Sequence, residues 1–239
     1  MKLGIPHLQL DDDSQLNDQH VAAIVTCVFR QDLDEAGAIC ISFKNLRDSF
    51  QLRALMVKLK EQLSAWFQQQ TGSRLHYYSM GRFDQKKTTR LHLDGGPACS
   101  FLMLGYEPSP VTSQFLIADF SRGAAQEGLS PQAFLESRNP MIDPEGRQVL
   151  EPFTAPIPSW DDLTTRIVLI NNSSESTLLP CPFPALGVLH GADILSVPEP
   201  GSPRIINSTM LVPELEMPAE NAQAVSTFLS TRSISGSIL

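Results

Sequence analysis

Arg90-Leu91-His92-Leu93-Asp94-Gly95-Gly96 decides how the rest of the chain is read. Side chains two apart on an extended strand leave the same face, so His92 and Asp94 present an imidazole and a carboxylate side by side. A second histidine, His190, stands in Gly187-Val188-Leu189-His190-Gly191. Two histidines and one carboxylate make a facial triad that suits non-haem Fe(II) and leaves coordination positions open. Further on, Arg204 opens the apolar run Ile205-Ile206-Asn207-Ser208-Thr209-Met210-Leu211-Val212. An arginine buried there clamps a carboxylate through its planar fork.

Singly, these residues say little. With five histidines and 26 acidic residues in the chain, a His-x-Asp or His-x-Glu pair arises by chance in roughly one such sequence in two. His92 alone equally reads as a surface histidine beside a Gly-Gly turn, and His190 as a histidine satisfied in a core. The order carries the weight: a pair, a later histidine and a later arginine, each beside residues that read as strand. In that order His92-x-Asp94, His190 and Arg204 resemble the signature of the Fe(II)/2-oxoglutarate-dependent dioxygenases, over about Tyr77 to Leu211.

The resemblance implies an α+β chain built on a double-stranded β-helix, or jelly roll, with N-terminal buttressing helices and a C-terminal helix. It implies Fe(II) on His92, Asp94 and His190 as the catalytic centre. The cosubstrate 2-oxoglutarate would chelate the metal and place its far carboxylate on Arg204. O2 is consumed, succinate and CO2 are released, and a substrate is hydroxylated. In the family a strand ahead of the motif often gives a tyrosine to the cosubstrate; Tyr78, sharing strand parity with His76 and Met80, is the expected one, and Tyr77 points the other way. Family members often carry a serine or threonine two residues past the arginine. Here that position is Ile206, and Ser208 is the next residue of matching parity. Two competing readings use the same residues. One is a cupin-like metal enzyme without an oxo-acid, in which Arg204 holds the substrate; the other is a non-catalytic β-sandwich binding domain whose histidines are structural.

Composition narrows the class. A chain of 239 residues, 42% hydrophobic and 18% charged, is long enough to bury a sizeable core and reads as one globular domain over 1–239. The formal charge of −8 argues against broad binding to a phosphate backbone and, with 7% aromatic residues, favours a small-molecule substrate over nucleic acid. Cys27, Cys40, Cys99 and Cys181 form no CxxC pair and read as buried thiols of a reducing compartment. No run reaches the length of a membrane span, and the expected location is cytoplasmic. Oligomeric state is not legible in the sequence.

Taken in order, residues 1–16 read as an irregular lead-in, and 17–70 as helical support. Val21, Ile24, Val25, Val28 and Phe29 recur at helical spacing behind an Asn17 cap, and the spacing predicts a helix to Asp34. A short strand follows over Ala36–Phe43. Asp48 caps a long helix to about Gln70 with Leu52, Leu55, Met56, Leu59, Leu63 and Phe67 as its apolar stripe. The core of strands spans 74–212, with Asp84–Thr89 as a hairpin loop at the mouth of the site. Residues 121–160 read as a turn-rich insertion with one short capped helix at Ser130–Glu136, either covering the site or decorating the surface. A helix over 219–231 and a Ser-rich tail end the chain.

Overall fold

In the computed structural model, which describes residues 3–158, 160, 162–174, 183–214 and 222–234, Asn17 and Asp48 cap the two N-terminal helices. Asn17 accepts from the Gln19 and His20 amides at the head of α1 (Asp18–Val28), and Asp48 accepts from the Gln51 amide at the head of α2 (Ser49–Thr71). Gly72, at φ +78°, closes α2 in the left-handed region that a Cβ would strain. The first helix stops at Val28, short of Asp34, and Arg30 beyond it turns inward to a buried ion pair with Asp119. Nor is the lead-in irregular throughout. His7–Leu10 forms β1, which pairs in parallel with β2 (Ala38–Phe43).

The remaining strands are β3 (Leu75–Asp84), β4 (Thr89–His92), β5 (Phe101–Tyr106), β6 (Thr112–Ala118), β7 (Thr154–Pro156), β8 (Thr165–Asn171), β9 (Leu189–Ser196) and β10 (Ile205–Pro213). Among the described residues they form two sheets, ordered β1-β2-β8-β5-β10-β3 and β4-β9-β6-β7, and the pairs other than β1 with β2 are antiparallel. Asp84–Thr89 is therefore not a hairpin loop: β3 and β4 lie in different sheets, and the segment carries the chain from one to the other.

Each residue of β2, β5 and β8 is buried, because both faces of the larger sheet are covered. On the outer face Ile39, Ile41, Phe101, Met103, Ile167 and Leu169 pack with Leu52, Leu59 and Phe67 of α2 and with Ile24 and Val28 of α1. On the inner face Cys40, Leu102, Leu104, Val168 and Ile170 meet Phe115 and Ile117 of the smaller sheet. Alternate residues of one strand thus feed two cores. Fully burying each such leucine, isoleucine or phenylalanine contributes about 1.5–3 kcal/mol, more than helix propensity contributes per residue. A Cβ at Gly105 would stand 2.5 Å from the Met56 sulfur, so the helix rests on the sheet where β5 has no side chain.

Residues 120–156 are more ordered than their composition predicts. They hold α3 (Phe120–Gln126), α4 (Pro131–Arg138) and α5 (Pro144–Leu150) before β7, capped by Asp119, Ser130 and Asp143, with Pro131 and Pro144 at the helix starts where a missing N–H costs nothing. Phe120, Ala124, Phe134 and Leu150 pack together against Leu189 and against Leu91 and Leu93 flanking His92. At the other end of the chain α6 (Ala222–Ser230) packs against α2 and β3 and adds Phe228 to the outer core; the expected start of that helix, 219–221, and the last five residues lie outside the described residues.

Cys27 and Cys40 are buried free thiols, as read; burial pushes them up to about 11 and about 12. Cys99 is disulfide-bonded, which corrects the reading of four thiols and removes the cysteine argument for a reducing compartment. Cys181 lies outside the described residues. No helix among the described residues is long and apolar enough to cross a membrane.

Glu107, just past β5, ties the helices to the sheet. It accepts hydrogen bonds from Arg82 (3.0 Å), Ser49 (2.6 Å) and Asn207 (3.0 Å). Burial works to raise its pKa, but these bonds outweigh it and hold the carboxyl below the usual range. A folded pKa below the unfolded one stabilises at neutral pH, and that stability is lost as pH falls through the folded value. Urea unfolding should therefore lose more stability between pH 7 and pH 3 in the wild type than in Glu107→Gln, whose own cost at pH 7 should be about 1–3 kcal/mol; equal pH slopes would show that Glu107 does not carry the acid sensitivity.

Candidate metal centre

β4 and β9 are neighbours in the smaller sheet, and their register sets His92 directly opposite His190. Cross-strand partners stand close enough for their side chains to meet. The two rings are 4.4 Å apart between centroids. Asp94 follows two residues beyond the end of β4, and one of its oxygens, Oδ1, lies 3.3 Å from His92 Nε2 and 3.8 Å from His190 Nε2. One ligand atom from each residue fits within 4.8 Å of the others. The three residues that were separated by up to 98 positions in the sequence thus converge on one point.

The ligand atoms are oriented for this. His92 Nδ1 is 2.6 Å from the Arg90 carbonyl, an acceptor; Nδ1 therefore carries a proton, and Nε2, which faces Asp94, is the nitrogen that a metal would take in place of its proton. His190 is held by stacking on Phe115, with ring centroids 5.9 Å apart and planes 14° apart. Burial lowers the His190 pKa to about 4, against the pull of Asp94 and aided by His92, so its imidazole is neutral at pH 7 and offers a lone pair. On His92 burial works downward, but the Asp94 and Arg90 hydrogen bonds win and raise it. For Asp94 burial works upward and the two histidines win, keeping it a carboxylate. A carboxylate and two imidazoles with converging lone pairs suit a divalent transition metal with open positions.

Asn172, which the sequence reading passed over, fixes Asp94. Its side chain, itself buried, accepts from the Asp94 amide (2.9 Å) and donates to the Asp94 carbonyl (3.0 Å) and to the buried Ser100 Oγ (2.9 Å). Removing such support to a metal ligand costs 10–100-fold in affinity. Asn172→Ala should accordingly bind Mn(II) about 10–100-fold more weakly by calorimetry; unchanged affinity would show that Asp94 needs no such support.

His92, Asp94 and His190 open into a cavity of about 520 Å³ lined also by Leu104, Tyr106, Phe115, Arg204, Ile206 and Ser208. Arg204, immediately before β10, is 1% exposed. Its Nε donates to Ser113 Oγ (3.1 Å), its Nη1 to the Gln85 carbonyl (3.3 Å), and its backbone N–H to Asp84 (2.9 Å). Ser113 in turn donates to Asp162 (2.7 Å), which also accepts from the Trp160 indole (2.9 Å). The guanidinium lies over the Tyr106 ring, 5.1 Å from its centroid. Nη2 is buried and has no hydrogen-bond partner among the described residues. A buried cationic donor left open toward a cavity calls for an anionic acceptor.

Tyr78 is not part of this constellation. It is 44% exposed and does not line the cavity. Met210 pairs with Ser79 and Leu211 with Tyr77, so Tyr78 is the extra residue of a β-bulge on β3 and strand parity does not carry through it. The buried phenol at the cavity is Tyr106; its signal in the sequence was its place at the end of an apolar strand, sharing parity with Leu104. Burial pushes that phenol up, against the pull of Arg204, so it stays an O–H donor at neutral pH. Ser208, unlike Tyr78, does line the cavity, on the strand face that carries Ile206.

No family model matches this chain, and no curated protein matches its sequence.

Proposed function

We propose that the chain is a non-haem Fe(II)- and 2-oxoglutarate-dependent oxygenase that hydroxylates a small molecule, releasing succinate and CO2. One observation carries this reading: His92, Asp94 and His190 share a single cavity with a buried arginine whose Nη2 has no hydrogen-bond partner among the described residues. The strand order supports it. The arrangement β8-β5-β10-β3 against β4-β9-β6-β7, with the chain crossing between sheets at most connections, is compatible with a double-stranded β-helix whose larger sheet α1 and α2 would buttress.

In this reading His92, Asp94 and His190 hold Fe(II), which when bound supplies the activation of O2 against the oxo-acid and the substrate. Arg204 Nη2 takes the far carboxylate of 2-oxoglutarate. Tyr106, beside it, donates its O–H to the same carboxylate and fills the place of the hydroxyl that Ile206 lacks; Ser208 lies further along the same strand face. Ser113 and the Gln85 carbonyl hold the guanidinium so that, among the described residues, Nη2 is the nitrogen left without a hydrogen bond, which fixes the direction of approach. Leu104, Phe115 and Ile206 form an apolar wall that limits water around the reacting groups.

The test is succinate formation from 2-oxoglutarate under O2 with added Fe(II), in wild type, His92→Ala and Arg204→Ala. Succinate from the wild type and from neither variant is the expected result. If the wild type forms none, calorimetry with 2-oxoglutarate and a redox-inert metal decides: absence of binding removes the oxo-acid and leaves a cupin-like use of the same ligands.

A further inference from the structure

Two arginines line the cavity, and they are placed differently. Arg204 is buried; Arg90 is exposed at the mouth, two residues before His92 on the same strand. The Arg90 Nη1 donates to the Met141 carbonyl of the insertion at 2.7 Å. Its other edge, Nε and Nη2, has no partner among the described residues, and no carboxylate there forms an ion pair with it. By contrast, Arg82 is paired with Glu107 at 3.0 Å and Lys86 with Asp84 at 3.0 Å. In a chain of net charge −8, an arginine without a carboxylate at the mouth of the cavity is not for want of acidic residues. Beside it the wall is apolar, with Phe83, Leu93 and Met141.

A guanidinium pinned by a backbone carbonyl on one nitrogen presents the two N–H groups of its free edge in a fixed plane. That is the shape that binds a carboxylate through two parallel hydrogen bonds, which an ammonium cannot copy. Resting on the oxygenase reading above, we infer that Arg90 is a specificity-determining residue and that the substrate is a small monocarboxylate with an apolar body. Its carboxylate sits on the free edge of Arg90 at the mouth, its body lies along the apolar wall, and its reacting carbon reaches toward His92 and Asp94. Arg204 and Arg90 then divide two anions between the depth and the mouth of one cavity.

The experiment uses metal-free protein and a matched pair of probes, 4-phenylbutyrate and 4-phenylbutanamide, which differ in charge but hardly in shape. Binding is followed by calorimetry and by the Arg90 Nε–H resonance, assigned by its loss in Arg90→Gln. The carboxylate should bind wild type about tenfold or more tighter than the amide and shift that resonance saturably, with the preference gone in Arg90→Gln and only partly kept in Arg90→Lys. Equal affinity for acid and amide in the wild type, or a saturable shift confined to other arginine resonances, overturns the inference. Succinate formation is read separately. A protein that forms succinate but does not distinguish acid from amide loses only the role of Arg90, whereas one that reads the carboxylate through Arg90 but forms no succinate loses the oxygenase reading.

Discussion

His92→Ala should lose at least about a hundredfold in affinity for Mn(II), a stand-in for Fe(II) that is stable in air, because a direct ligand is worth no less than the outer groups that support one. Of the three ligands His92 gives the cleanest measurement. Its side chain is 20% exposed, whereas that of His190 is 8% exposed and stacked on Phe115, so truncating His190 would mix lost packing with lost coordination. The thermal midpoint of metal-free His92→Ala should stay near that of wild type. Asp94→Asn should fall by a comparable factor, since the amide keeps the shape but not the charge that two imidazoles and a dication require. Calorimetric titration of the three proteins checks this. If wild type and His92→Ala bind Mn(II) equally, the histidines are structural, and a binding domain rather than an enzyme becomes the better account.

The candidate metal ligands were legible because their chemistry is rare and their neighbours are strand-forming: nothing else in the chain places His-x-Asp, a later histidine and a later arginine beside apolar runs. The outer helices were legible for a similar reason, Asn17 and Asp48 each preceding an apolar stripe of helical period. What escaped was set by pairing between distant strands. Strand parity counted two residues at a time favours Tyr78 over Tyr77, and the bulge at Tyr78 breaks that count without a glycine or proline there to mark it. Asn172 and Ser113 became visible only when β8 and β6 were laid beside the site. Asp84–Thr89 has the composition of a hairpin turn, and only the partners of β3 and β4 show that it crosses between sheets. In the turn-rich insertion Asp143-Pro144 has the composition of a turn and starts a seven-residue helix; a helix so short owes its form to Leu150 packing with Phe134 rather than to its own propensity.

The second large effect lies away from the cavity. Asp119→Ala should destabilise the protein by about 3–5 kcal/mol, because it leaves the Arg30 charge buried without its counter-ion. Both side chains of this pair are fully buried, and the guanidinium meets the carboxylate through two bonds, of 2.7 and 2.9 Å. Arg30 also donates to the carbonyls of Leu186 (2.7 Å) and Glu35 (2.7 Å), while Asp119 caps α3 by accepting from the Arg122 amide. The pair therefore joins the end of α1, the start of the insertion and the segment that leads into His190. With total stabilities of about 5–15 kcal/mol for ordinary domains, such a loss removes a large share of the folded state's margin. The cost belongs to the broken pair more than to the lost attraction. Arg30→Met combined with Asp119→Leu should then recover part of it, since Arg30 no longer leaves a buried charge unmet, although Arg122, 3.0 Å from Asp119, loses its partner and α3 loses its cap. Urea unfolding of wild type, both single variants and the double variant measures this cycle. A single-variant loss below about 1 kcal/mol would place Arg30 in contact with water after Asp119 is removed, and the joint would then be held by packing and backbone hydrogen bonds instead of by charge.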